Sequence, residues 1–144
     1  MAGPQFFTPP RVTPSKPARR FTLEQANKTL PLVKRIVADL VKMHKNATQL
    51  QASIESMTPG REQTAAQREL DAATDRLQGL VDELTDVGCE IKDYQTGLID
   101  FVSRHQDRDI YLCWRLGEDH IGYWHEMQSG VAGRQSVAVL EKDA

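Results

Sequence analysis

The sequence predicts an α+β fold, mostly α, in which a long antiparallel helical hairpin of coiled-coil type carries a small C-terminal antiparallel sheet of about three strands. Three observations point there. Apolar residues recur at alternating spacings of three and four on both sides of one Thr58-Pro59-Gly60 break, and past Gly88 the period changes to two. The chemically versatile side chains are also segregated: both tryptophans, all three tyrosines, both cysteines and three of the four histidines lie between Cys89 and His125, while residues 30–87 hold no Phe, Tyr or Trp.

At 144 residues the chain supports one domain of ordinary core size. Residues 1–20 are read as a disordered basic arm. Pro4, Pro9, Pro10, Pro14 and Pro17 favour extended, solvated backbone, and Arg11, Lys16, Arg19 and Arg20 meet no acid there. Such an arm could dock an acidic partner or pack back through Phe6 and Phe7. Its composition resembles a transit peptide, but the prolines disfavour the amphipathic helix that one needs. The formal charge is −2, so the remainder of the chain carries −6. That balance argues against a large nucleic-acid footprint. No apolar run reaches the ~20 residues needed to cross a bilayer, and no secretory h-region is present. A cytoplasmic protein with two reduced thiols is the expectation.

The single domain is expected over residues 21–137. Its first helix, 21–57, opens with Thr22 and Gln25 in capping-box spacing. Pro31 should kink or break it near Thr29–Leu30, because proline lacks an N–H and its ring crowds the carbonyl four residues back. Beyond Pro31, Val33, Leu40, Ala47 and Ile54 interleave with Ile36, Met43, Leu50 and Met57. The second helix, 62–87, repeats the design with Ala66, Ala73, Leu80 and Val87 against Leu70, Leu77, Leu84 and Ile91, and Gly88 stands at its end. Val37, Val41 and Val81 widen the seam beyond what one partner helix covers, so a homodimer through the hairpin is expected.

Residues 90–126 are predicted as the sheet. Leu98–Phe101 forms a short strand, and 110–115 and 121–126 form a hairpin about a Leu116–Asp119 turn. That turn places Arg115 opposite His120 and Cys113 opposite Gly122. One face then carries Ile110, Leu112, Trp114, Ile121, Tyr123 and His125; the other carries Tyr111, Cys113, Arg115, His120, Trp124 and Glu126. Residues 138–144 are read as a loose tail.

The chain resembles an uncharacterised bacterial family, domain of unknown function 2203. The resemblance rests on Phe21-Thr-Leu-Glu-Gln-Ala-Asn-Lys-Thr-Leu-Pro31, Val87-Gly, Ile91-Lys-Asp and Gly97-Leu-Ile-Asp-Phe101. It is strongest through Tyr111-Leu-Cys-Trp-Arg-Leu-Gly-Glu118, Ile121-Gly-Tyr-Trp-His-Glu126 and Gly133-Arg134. It covers about residues 21–137, whereas the proline-rich arm departs from the family pattern. It implies a small soluble prokaryotic protein, helical with a β end, and no established activity.

Asp100, Tyr111, Cys113, Arg115, Trp124, His125 and Glu126 are the candidate binding residues. The principal expectation is a protein-interaction or assembly module presenting the aromatic Tyr111–Glu126 face, since Trp, Tyr and Arg are the side chains that interfaces favour. The alternative is a small metal-dependent or small-molecule-processing enzyme with its site within 93–126. Asp100, Cys113 and His125 are then the candidate metal ligands, and Asp93 and Glu118 supply further carboxylates. His125 and Glu126 are adjacent on a strand and point to opposite faces, and the helical HExxH pattern is absent. In the register above, Cys113 and His125 also fall on opposite faces. Cys113 as a nucleophile would need a base such as His120 or His125, and carboxylate-pair hydrolysis would use Asp100 with Glu118 or Glu126. Single-stranded nucleic acid would stack on Tyr111 and Trp124. The residues demand no cofactor.

Overall fold

The computed structural model describes Pro10 and residues 19–142. The proline-rich arm therefore lies largely outside the described residues, as do Phe6 and Phe7. Two long helices come first, α1 (Leu23–Glu55) and α2 (Arg61–Val87). Five strands follow: β1 (Cys89–Asp93), β2 (Leu98–His105), β3 (Arg108–Arg115), β4 (Tyr123–Glu126) and β5 (Gln135–Ser136), with a 3-10 turn at Val131–Gly133 before β5 and a short helix α3 (Ala138–Lys142) after it. All five strands form one antiparallel sheet in chain order.

The expected capping box opens α1: Gln25 N–H donates to Thr22 Oγ1 at 3.1 Å, and Thr22 N–H donates to Gln25 Oε1 at 3.0 Å. The helix then runs unbroken through Pro31, against expectation. Proline removes one donor, but Leu30 and Val33 on either side are 3% and 0% exposed, and that packing holds the turn together. Val33, Leu40, Ala47 and Ile54 are buried, as are Ala66, Leu70, Leu77 and Leu84 facing them. The heptad seams thus meet within one chain, as an antiparallel pair of helices. Of the widening residues, Val37 and Val81 are 0% and 1% exposed, whereas Val41 is partly buried. The sheet closes over part of this strip, with the β1–β2 turn against Val37 and Val41.

Two glycines make that closure possible. Gly88 ends α2 at φ 117°, and a Cβ there would meet the Phe21 ring at 2.7 Å. Gly97, at φ 72° in the β1–β2 turn, sits so close to α1 that a Cβ would meet Val37 at 2.8 Å. The sheet face carrying Ile91, Ile99, Phe101, Ile110, Leu112, Trp114 and Trp124 joins the helices in one core, where Phe21 and Phe101 pack edge to face at 5.0 Å.

The sheet is larger than expected because three of its parts carry no alternating apolar signal. β1 begins directly at Cys89 after the helix cap. β2 and β3 extend through a polar run, Ser103 to Asp109, and meet in a two-residue turn in which Gln106 and Asp107 have φ 49° and 61°. That is the left-handed pair a tight hairpin requires, here without glycine. Near the end of the domain, residues 135–136 pair with β4 and Val137 is 8% exposed; α3 follows over Ala138–Lys142.

The β3–β4 register differs from expectation by one residue: Tyr111 pairs with His125, Leu112 with Trp124 and Cys113 with Tyr123. The connection is a longer loop, 116–122, rather than a tight turn. Glu118 folds it back: its Oε1 accepts from Arg115 N–H at 2.8 Å, and its carbonyl accepts from Trp114 Nε1 at 3.0 Å. Ile121 N–H then donates to Asn27 Oδ1 of α1 at 2.8 Å, and Ile121 is fully buried. A slip of one residue inverts the facing of every side chain on a strand. Trp124 and Glu126 therefore lie on the helix-facing side, and Tyr123 and His125 lie with Tyr111 and Cys113.

Candidate metal centre

The inverted strand brings three expected ligands together. Asp100 on β2 pairs with Cys113 on β3, and His125 on β4 lies diagonally across from Cys113 on the same face, away from the helices. One ligand atom from each lies within 4.8 Å of the others. Exposures of 4%, 0% and 3% for Asp100, Cys113 and His125 put the cluster out of water.

The orientation of the imidazole decides what this cluster can do. His125 Nδ1 lies 2.8 Å from the Glu126 carbonyl oxygen, which only accepts, so Nδ1 carries a proton and donates. Nε2 then faces the Asp100 carboxylate, 3.2 Å from each oxygen, so that a shared proton or a metal cation bridges the two. Burial pushes the Asp100 carboxyl up from its usual range, opposed by His125, Cys113 and Lys92. Burial also pushes the Cys113 thiol up to about 12; the neighbouring Asp100 charge adds to this and Arg134 opposes it. Without a metal, Cys113 is a protonated thiol and a poor nucleophile. Cys89, buried on the opposite face, is likewise pushed up to about 12 by desolvation. Both cysteines are free thiols.

Around the cluster stand long polar side chains. The Tyr111 ring lies 5.3 Å from the His125 ring, with Lys92 Nζ 5.2 Å from the Tyr111 centroid and 3.1 Å from Glu90 Oε1. On the other side Arg134 stacks 4.2 Å from the Tyr123 ring, donates to Glu118 Oε1 at 2.7 Å, and approaches Cys113 closely enough to favour its thiolate. Arg115 occupies the same sheet face as Cys113, two residues along β3.

The remaining candidates fall elsewhere. Trp124 is 3% exposed in the core beside His105, with ring centroids 5.6 Å apart, so it does not present an aromatic surface. The Glu126 carboxylate points away from His125 and holds Arg108 through two bonds of 2.8 and 2.6 Å; only its carbonyl serves the cluster. Asp93 accepts from Gln95 N–H and Thr96 Oγ1, both at 2.9 Å, and those bonds hold it below the usual carboxylate range. His120 is exposed in the 116–122 loop. Arg134 and Lys92 were not legible as site residues. The only pointer to Arg134 was its place in the Gly133-Arg134 pair of the family resemblance.

Among the described residues, no helix is long and apolar enough to cross a membrane. No curated protein and no solved structure matches the chain. The model of a family described as an uncharacterised conserved protein, DUF2203, matches residues 19–137, and the chain belongs to that family.

Proposed function

We propose that this protein binds one zinc-class divalent metal ion through Asp100, Cys113 and His125. The observation that carries the reading is the Nδ1–H to carbonyl bond of His125, which aims Nε2 at a carboxylate with a thiol beside it. A carbonyl that accepts from the other ring nitrogen and so fixes its proton there is the usual support of a metal-binding histidine. The donor set suits the metal: thiolate, imidazole and carboxylate together favour zinc or a similar borderline ion over calcium or magnesium. Tetrahedral zinc sets its nitrogen and oxygen ligands about 3.3 Å apart, against 3.2 Å here. Thiolate and carboxylate would neutralise the ion inside the low-dielectric site. Three protein ligands leave one coordination position over, which is the pattern of reactive rather than purely structural centres.

Elemental analysis of zinc-reconstituted protein tests the reading. About one zinc per chain is expected. Cobalt substitution should add the near-ultraviolet thiolate charge-transfer band, which Cys113→Ser removes. His125→Gln, checked for folding by circular dichroism, should weaken zinc by at least about 100-fold. Failure of the folded wild-type protein to take up zinc or cobalt overturns the reading.

An interaction module is the second reading. It is supported by Tyr123 and Val131, 40% and 39% exposed on neighbouring elements. In that case Tyr123→Ser, rather than Trp124→Ala, is the variant that loses a partner or a dimer contact.

A further inference from the structure

Two guanidinium groups beside the cluster hold buried donors that nothing accepts. Arg134 Nε and Arg115 Nε are both out of water and make no hydrogen bond. Such a group forfeits its hydration with no bond in return, which points to a partner that the protein alone does not supply. The two are not equally close to the cluster. Arg134 lies against the Cys113 side chain, whereas Arg115, two positions along the same sheet face, acts on Asp93. Glu118 holds the Arg134 guanidinium: its carboxylate accepts from Arg134 Nη2 at 2.7 Å and from the Arg115 backbone N–H at 2.8 Å. Arg134 is further clamped over Tyr123. A planar cation with a spare N–H group beside a metal position matches the geometry of carboxylate and phosphate oxygens.

From this we infer that the protein binds a small oxyanion of the carboxylate or phosphate class beside Cys113. One of its oxygens occupies the metal's remaining coordination position, and another takes the spare Nε–H of Arg134. The inference rests on the metal reading above and adds the ligand class that this centre accepts. The cluster itself is shut off from water, so entry requires Arg134 to swing off Glu118. The strand that follows Arg134, β5, is only two residues long.

The test uses the cobalt-loaded full chain, titrated with acetate and, separately, with inorganic phosphate, at constant ionic strength set by sodium perchlorate. A saturable change in the cobalt visible bands with one or both anions is expected, and which anion is tighter identifies the class. Arg134→Met, still cobalt-loaded, should weaken that titration by about tenfold or more, the loss of one charge-assisted bond. Arg134→Lys should restore part of it. Cobalt uptake with bands indifferent to both anions overturns this inference alone, as does an anion response that Arg134→Met keeps at full strength. Absence of cobalt uptake overturns the metal reading and this inference together.

Discussion

At Asp100 the protein carries a carboxyl group whose desolvation works against its charge, and this has a consequence for stability as well as for binding. Its pKa in the folded chain is raised above the unfolded value. Between those two values the unfolded chain has released the proton that the folded chain retains, so folding stability falls as pH rises through that window, and the cost is then present at every higher pH. Asp100→Asn removes the charge and keeps a polar group of the same shape. In metal-free protein at pH 7–8, thermal or urea unfolding should find Asp100→Asn as stable as wild type or more so, by about 1 kcal/mol. At pH 3, below the ordinary aspartate pKa, the difference should vanish. The same variant should bind zinc at least about tenfold more weakly. A uniform destabilisation at every pH would mean that Asp100 serves the fold alone. Which residues could be ligands was legible from their types. Their grouping was not, because it depends on the facing of β4.

Among the elements, the hairpin helices were the most readable because burial on one stripe imposes a periodicity that polar residues cannot imitate. Capping chemistry at Thr22–Gln25 and Gly88 was readable for the same reason: each is a local solution to unpaired backbone groups. The strands were less so. The β2–β3 hairpin turns at Gln106-Asp107, both left-handed, whereas such turns usually announce themselves with Asn-Gly or Asp-Gly. Each non-glycine residue in that region carries a cost of roughly 1–2 kcal/mol. The double change Gln106→Asn, Asp107→Gly should therefore raise unfolding free energy by about 1 kcal/mol without altering metal binding. Urea denaturation of the pair measures it, and a loss of stability would show that the observed turn is wrong.

For the whole molecule, metal binding and folding should be linked. The three ligands come from three different strands, and they meet only when β2, β3 and β4 are assembled in register. A ligand that binds only the native state stabilises it by about 2.7 kcal/mol when present at a hundredfold over its dissociation constant. Zinc should accordingly raise the unfolding temperature of the wild type and leave that of His125→Gln unchanged, with a chelator reversing the shift. An equal rise in both proteins would place zinc elsewhere on the chain.

What the sequence alone determined was whatever depends on local spacing: the two helices and their break, the cap residues, the change of period after Gly88, and the concentration of reactive side chains beyond it. Tertiary structure decided the rest through one loop. Glu118 turns back onto the Arg115 N–H, and Ile121 reaches the side chain of Asn27, ninety-four residues earlier in the chain. These contacts lengthen the β3–β4 connection and shift the register by one. Because strand side chains alternate with a period of two, that shift moves Trp124 into the core and His125 onto the face of Cys113 and Asp100. A pattern read along the chain cannot contain that choice, since the energies that make it come from a distant helix.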